Sequence, residues 1–456
     1  MIVLRTGACA IAVLAAIAAP VHLRAQAPDD RGGFVVRELS LSTGVATQQL
    51  PPITLDGHVP SDALDADLIA SGAGGVDWRH VTPHSQYTLA ASGVFTSRSR
   101  YSRLDAPGAS LSFGVTQALG RRWHLTAILD GQIATSDQLA FQPTQTRRLV
   151  DGARSFGDLA DTTAFAHSPS PDLSQAALYV PINETLGNAD VYGNRVFASG
   201  VRAEATYSDS ARLQTFVRGG YATDRVIASN ASPGQFVAVP DSSAADAIVG
   251  VRYGRSERSQ LTGMLAWSRA SGSYTDEALV ATIGYAWSGR GWFAATSAGT
   301  ALRPFRLPTT GPLTTIRNQS PAIVGSVLLG YTFDHQTLLA QYHQATHDEY
   351  GHGGRDIVTG FEGNVQTVGA SWSWLAPRSR WMARSDFSML RGPGNFSFIY
   401  AWLATAGVGR QLNPNVTLTG ELIFDRHGSR AFEGFDLMEE GVRVVFAWTP
   451  RRRPVA

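Results

Sequence analysis

Apolar and polar residues alternate with a period of two through most of this 456-residue chain. In one such segment Val201 and Ala203 alternate with Arg202 and Glu204. Successive side chains of a strand point to opposite faces, so each segment predicts a strand with one apolar and one polar face. The segments run for about 11 to 15 residues, whereas globular strands have about 5 to 6 and tilted bilayer-crossing strands about 9 to 11. The pattern therefore favours membrane-crossing strands over a soluble sandwich or propeller.

Counting these segments predicts 18 strands, or 16 if the first two, which are the least regular, are not strands. An even number of strands is expected when both ends of the chain lie on the same side of the membrane. Because open sheet edges cannot stay unpaired in hydrocarbon, the sheet must close. The predicted fold class is all-β, a transmembrane antiparallel up-and-down β-barrel. The predicted strands are residues 34–47, 72–82, 85–100, 109–119, 122–137, 195–209, 212–227, 245–256, 259–274, 277–288, 291–303, 321–334, 336–350, 362–376, 379–394, 396–412, 414–430 and 437–449.

Composition excludes several other classes of protein. Charged residues make up 16% of the chain, against about 25% in ordinary soluble domains. The net charge of +1 shows no excess of basic residues for nucleic acid, so no nucleic-acid partner is predicted. The only cysteine, Cys9, excludes disulfide frameworks and clustered-cysteine zinc sites. The sequence predicts neither a cofactor nor a metal site.

The first 25 residues have the layout of a secretory signal peptide. Arg5 precedes an apolar stretch from about Ala8 to Val21, and cleavage after Ala25 fits best. We therefore expect residues 1–25 to be a signal peptide and residues 26–456 to form the barrel.

Connections of two kinds alternate along the chain. Short polar turns near Pro83, Gly120 and Asp209 are interleaved with longer connections, of which residues 141–194 are the longest. Tyr, Trp or Phe tends to lie beside the turns, as in the aromatic girdles at membrane interfaces. This arrangement resembles that of bacterial outer-membrane β-barrels, and in particular of porins, which have short periplasmic turns and longer external loops. No closer family is indicated.

The resemblance implies a location in the outer membrane and several partners. The strand from Gly441 to Trp448 alternates and ends in an aromatic residue, similar to the terminal strand that the barrel-assembly machinery recognises. The other partners expected by analogy are outer-membrane lipid and two further copies of the chain in a homotrimer.

Strand parity assigns a set of charged residues to the interior. Barrels of 16 to 18 strands are wide enough for an aqueous channel, and charges inside a dry lumen would be costly. Alternatively, these charges pair and brace the wall, which is compatible with a channel. The inward candidates are Arg202, Glu204, Arg212, Arg218, Asp224, Arg252, Arg380, Arg384, Asp386, Glu421, Asp425 and Arg443.

The longest connection is predicted to be the third external loop. In general porins the third loop folds inward and narrows the pore, and the placement of residues 141–194 is similar. The alternative is a loop at the outer surface. Charged candidates for a constriction there are Arg147, Arg148, Asp151, Arg154 and Asp158.

These features favour a passive channel for small polar solutes, without catalytic residues. One alternative is a barrel for export or assembly of a surface polymer. Another is a lipid-modifying hydrolase, because His427 and Ser429 with Glu439 or Glu440 resemble the catalytic residues of outer-membrane lipid A deacylases.

Overall fold

The computed structural model describes most of the strands and the short turns between them. It covers residues 33–49, 66–100, 105–135, 194–229, 241–256, 258–271, 274–289, 291–302, 306–308, 321–333, 335–345, 365–376, 378–394, 397–429 and 437–448. Over these residues the strands are β1 (Gly33–Gln49), β2 (Ala66–Val81), β3 (Ser85–Arg98), β4 (Ala106–Leu119), β5 (Trp123–Thr135), β6 (Asn194–Ser208), β7 (Leu213–Ser229), β8 (Ser242–Ser256), β9 (Ser259–Ser271), β10 (Tyr274–Gly289), β11 (Trp292–Leu302), β12 (Arg306–Pro308), β13 (Ala322–Phe333), β14 (Gln336–Ala345), β15 (Val365–Ala376), β16 (Trp381–Gly394), β17 (Ser397–Asn413), β18 (Val416–Ser429) and β19 (Leu437–Trp448).

The strands form one closed antiparallel sheet. Apart from the three-residue β12, each strand pairs with the strands before and after it in the chain, and β1 closes the sheet by pairing with β19, with Leu39 opposite Trp448. The three-residue β12 pairs with the same strand as β11, placing Leu307 opposite Thr275 of β10. The 19 described segments therefore occupy 18 positions around the barrel, which confirms the predicted fold class and strand number. Among the residues that the structure describes, no helix reaches the length and apolarity that a membrane crossing requires.

The outward face of the barrel is apolar. Large hydrophobic side chains on nearly every strand are exposed, among them Val217 (60%), Leu265 (61%) and Ile283 (70%). Their neighbours of the opposite parity, such as Phe216 and Met264, are buried. A barrel with an apolar exterior and fully paired strands is the β-architecture that a bilayer permits.

The two ends of the barrel differ in their connections, and we name them the short-turn end and the long-connection end. At the short-turn end, strands such as β4 and β5 are joined through a few residues, and Gly120 and Gly291 adopt φ values of 77° and 82° in these turns. Aromatic residues lie beside these turns, as predicted, and the ring centroids of Trp292 and Tyr331 lie 4.2 Å apart. In the turn before β5, Arg122 donates a hydrogen bond to the Tyr207 hydroxyl at 2.8 Å, which raises the pKa of Arg122.

Some strand bounds differ from those that alternation predicts. Strand β2 begins at Ala66, six residues before the predicted start at residue 72, and the predicted end of β14 at residue 350 lies outside the described residues. At the long-connection end only two residues separate β9 from β10, and only two separate β16 from β17. The expected signal peptide and almost all of the predicted third loop, including Arg147, Arg148, Asp151, Arg154 and Asp158, lie outside the described residues.

Candidate functional site

The inward face of the barrel carries most of the charged residues that strand parity assigned to it. Arg212 and Arg380 are exceptions, because both lie in exposed turns rather than within a strand, and Arg380 adopts a φ of 59°. Their assignment to the interior is therefore wrong. The others point inward from the strands and are buried or half-buried: Arg202, Glu204, Arg218, Asp224, Arg252, Arg384, Asp386, Glu421, Asp425 and Arg443.

Three of these residues form a compact group that we call the Glu204 cluster: Glu204 of β6, Arg218 of β7 and Arg252 of β8. Arg218 donates to Glu204 Oε2 through Nε at 3.1 Å and through Nη2 at 2.5 Å. Arg252 Nη2 donates to Oε1 at 3.0 Å, and the Thr206 hydroxyl donates to the same oxygen at 3.0 Å. One carboxylate thus fixes two guanidinium groups on adjacent strands.

A glycine and an aromatic ring give the Glu204 cluster its geometry. Phe216 of β7 lies opposite Gly250 of β8, and a Cβ atom at Gly250 would come within 2.3 Å of Phe216 Cζ. The absence of a side chain at Gly250 therefore leaves room for the ring of Phe216. The Arg252 guanidinium carbon lies 4.2 Å from the centre of this ring, a cation–π distance. The Arg252 side chain thus packs on the ring of Phe216 and bonds to Glu204.

Three further charged residues, Asp130, Arg202 and Asp246, lie next to the Glu204 cluster on the same strands and on β5. Arg202 Nη2 donates to Asp130 Oδ1 of β5 at 3.1 Å. Asp246 of β8 lies opposite Gly220 of β7, which in turn lies opposite Arg202. A Cβ atom at Gly220 would come within 2.3 Å of Asp246 Oδ1 and 3.2 Å of Arg202 Cγ. Gly220 therefore lets these oppositely charged side chains approach over its backbone.

A similar group, the Glu421 cluster, comprises Arg384 of β16, Glu421 of β18 and Arg443 of β19. Arg443 lies directly opposite Glu421 and donates to its Oε2 through Nε at 2.8 Å. Arg384 reaches the other carboxylate oxygen, Oε1, from two strands away. Gly407 of β17 lies between Arg384 and Glu421, where a Cβ atom would come within 3.0 Å of Glu421 Cγ.

A buried ion pair lies near the long-connection end. Arg98 of β3 and Glu439 of β19 bond at 2.7 Å, and both side chains are fully buried. In the hydrolase alternative, Glu439 or Glu440 would be the acid that acts with His427 and Ser429. The Glu439 carboxylate bonds to the Arg98 guanidinium, and Glu440 is exposed on the opposite face of the strand. Ser429 ends β18, where its backbone pairs with Ile399.

Four strands on one side of the wall contain no acidic residue and no arginine, although the short β12 beside them contains Arg306. Strands β11, β13, β14 and β15 contain no Asp, Glu, Lys or Arg. Their inward face consists of small, hydroxyl, amide and aliphatic side chains, and the Ser297 and Ser326 hydroxyls lie 2.8 Å apart. Gln341 Oε1 and Ser371 Oγ are buried there without a hydrogen-bond partner in the described part of the chain.

Several inward-facing residues belong to these groups although our sequence analysis did not select them. Asp130 and Asp246 have the parity of their charged neighbours, so the same alternation would have found them. Phe216, Gly220 and Gly250 carry no signal of their own, because their role depends on which residues lie opposite them.

Comparison with known proteins gives resemblances of low similarity only. No protein-family model and no curated protein matches the chain. Among solved structures, the outer membrane protein OpdK of Pseudomonas aeruginosa aligns with 10% identity and a TM-score of 0.40, covering 91% of this chain and 99% of that chain. A BenF-like porin from Pseudomonas fluorescens aligns with 8% identity and a TM-score of 0.43, covering 92% and 100%. OccK2 of Pseudomonas aeruginosa aligns with 9% identity and a TM-score of 0.42, also covering 92% and 100%. These values are too low to transfer a solute or a residue's role.

Proposed function

We propose that this protein is an outer-membrane channel through which small polar solutes diffuse passively. The observation that carries the proposal is the polar inward face of a closed barrel of 18 strand positions. A barrel of this size is wide enough to enclose water. If the interior were a dry core, aliphatic side chains would fill it at lower cost than ion pairs such as Arg218–Glu204.

The test is the conductance of the purified full-length protein in planar lipid bilayers. We expect stepwise, ohmic current increases on insertion, because a hydrated passage conducts small ions. Buffer with the same detergent but no protein is the control. If inserted barrels carry no current, and a variant lacking residues 141–193 carries none either, the channel proposal is wrong. A permanently closed barrel would instead favour a role in the export or assembly of a surface polymer.

A further inference from the structure

The short-turn end of the barrel has an excess of arginine. In the sequence, the residues between strands in its eight turns include seven arginines and three acidic residues. The exposed Arg255 of β8 and Arg410 of β17 lie at the adjoining strand ends, so the net excess is six positive charges. The turn residues are Arg121, Arg122, Arg212, Arg258, Arg290, Arg378 and Arg380, with Asp209, Glu257 and Asp334, of which Arg290, Glu257 and Asp334 lie outside the described residues.

The neighbouring strand residues do not offset this excess. The four strand residues on either side of each turn include no Asp or Glu in the sequence. Arg79 and Arg384 also lie within this distance, but both are on the inward face. The turns and strand ends of this end of the barrel are therefore basic.

Five of the arginines, Arg121, Arg122, Arg212, Arg255 and Arg258, form what we call the arginine patch. They are exposed and belong to three consecutive short turns. Backbone bonds join these turns: Ser208 N donates to the Arg122 carbonyl at 2.8 Å, and Gly254 N donates to the Arg212 carbonyl at 2.8 Å. Since neighbouring strands lie about 4.8 Å apart, the three turns occupy about 20 Å of the rim.

A second, smaller group of exposed arginines comprises Arg378, Arg380 and Arg410, in the turn before β16 and on β17. Gln411 N donates to the Arg380 carbonyl at 2.8 Å, which joins this turn to β17. Basic residues thus lie on two separate parts of the rim.

Contacts with outward aromatic rings place these arginines at the depth of lipid headgroups. The Arg122 guanidinium lies 6.0 Å from the ring centre of Tyr207, which packs against Trp123 at 5.0 Å. Arg410 lies opposite Trp381, with its guanidinium 6.0 Å from that ring. Trp123 and Trp381 are 47% and 45% exposed on the outward face. Outward Trp and Tyr residues mark the membrane interface, and arginine stems lie along apolar surface while their charges reach the polar layer.

We infer that the short-turn end binds anionic phospholipids of the leaflet it meets, with the arginine patch as the main contact. In outer-membrane barrels this is the periplasmic end. A guanidinium donates two parallel hydrogen bonds to phosphate oxygens, and clustered basic residues beside a membrane attract anionic lipid. Because Arg122 and Arg410 contact outward rings at the interface, lipid fits them better than a partner in the aqueous space. The inference goes beyond the proposed channel and does not depend on it.

The test compares the association of two spin-labelled phospholipids with the purified full-length protein in phosphatidylcholine vesicles. Electron paramagnetic resonance separates lipid immobilised on the barrel from free lipid. In dilute salt, labelled phosphatidylglycerol should associate about two- to threefold more strongly than labelled phosphatidylcholine, averaged over all lipids around the barrel. In about 1 M sodium chloride the ratio should fall toward one, because the Debye length is then about 3 Å.

Variants locate the contact. Replacing the five residues of the arginine patch by glutamine should remove most of the preference, and replacing the second group should remove less. Lysine at the same five positions should retain more than half of the preference, because the charge is kept. Circular dichroism checks that each variant keeps its β-structure.

The matched control is the triple variant with Arg225→Gln, Arg269→Gln and Arg391→Gln. These exposed arginines lie on the outward face near the long-connection end, on three separate strands, and Arg269 pairs with Glu277 at 3.7 Å. The ratio should change little.

Equal association of both lipids with the natural chain in dilute salt would overturn the inference. So would a preference that survives in the five-residue glutamine variant, or one that falls as far in the control. If that five-residue variant keeps the lipid preference but no longer sediments with isolated peptidoglycan, the arginines bind a polymer of carboxylates instead. A lipid preference without ionic current in planar bilayers would support this inference and contradict only the channel.

Discussion

The Glu204 and Glu421 clusters have the same charge arrangement but different packing. In both, a carboxylate lies between two arginines supplied by different strands. In the first, Arg252 lies over the ring of Phe216, whereas in the second, Arg443 lies opposite Gly44, where a Cβ atom would come within 2.7 Å of Arg443 Cβ. The first cluster belongs to three consecutive strands, and the second is next to the β1–β19 closure. Both clusters thus compensate the charge of two arginines with one carboxylate. The residues that pack against these arginines differ between the two clusters.

Removing either carboxylate should have the largest effect on stability. Glu204→Ala and Glu421→Ala each remove a buried carboxylate that binds one buried and one half-buried arginine, and breaking a buried ion pair costs about 3–5 kcal/mol. Urea unfolding in lipid vesicles, followed by tryptophan fluorescence, measures the change in free energy. Glu277→Ala is the control, because its pair with the exposed Arg269 contributes at most about 1 kcal/mol. If only one of the two variants is destabilised, the clusters are not equivalent.

Replacing one glycine of each cluster by alanine should lower the free energy of unfolding by different amounts. A Cβ atom at Gly250 would meet Phe216 Cζ at 2.3 Å and the Gly263 carbonyl oxygen at 2.8 Å. Gly250→Ala should therefore cost about 1–3 kcal/mol of unfolding free energy, in the range of overpacked cores. Gly407→Ala should cost less, because its nearest contact is Glu421 Cγ at 3.0 Å. Gly263→Ala is the control, since no atom lies within 4 Å of the added carbon. Equal losses at Gly250 and Gly263 would contradict the steric argument.

The smallest expected effect concerns the aromatic ring of the Glu204 cluster. A double-mutant cycle between Phe216→Leu and Arg252→Met should give a coupling of about 0.5–2 kcal/mol in unfolding free energy, as for partly desolvated cation–π pairs. The same cycle with Arg218→Met in place of Arg252→Met is the comparison, and it should give a smaller coupling. Equal couplings would show that the ring contributes general packing rather than support for Arg252.

Much of the fold follows from the sequence because alternation encodes strand faces directly. The 18 predicted strands correspond to the 18 occupied positions, and the apolar parity is the exposed one. The start of β2 was missed because Asp67 and Ile69 face inward there, so a charged and an apolar residue share one face. Alternation fails as a signal when an inward position is itself apolar.

The residues of the candidate site were predictable in part. Parity places Glu204, Arg218 and Arg252 on one face, but it does not say which side chains bond. Arg252 and Glu204 are on strands that are not adjacent, and Arg252 reaches Glu204 across β7, where it lies over the ring of Phe216. Such contacts depend on register and side-chain reach, and neither is encoded in a period of two.

The closure of the sheet has a consequence for how the chain is made. One edge of β1 can be paired only by β19, with Val45 opposite Val442. The first strand to be synthesised therefore keeps a bare edge until the last one arrives. Over that interval the polypeptide has to be shielded from others like it, since an exposed strand edge readily recruits another chain.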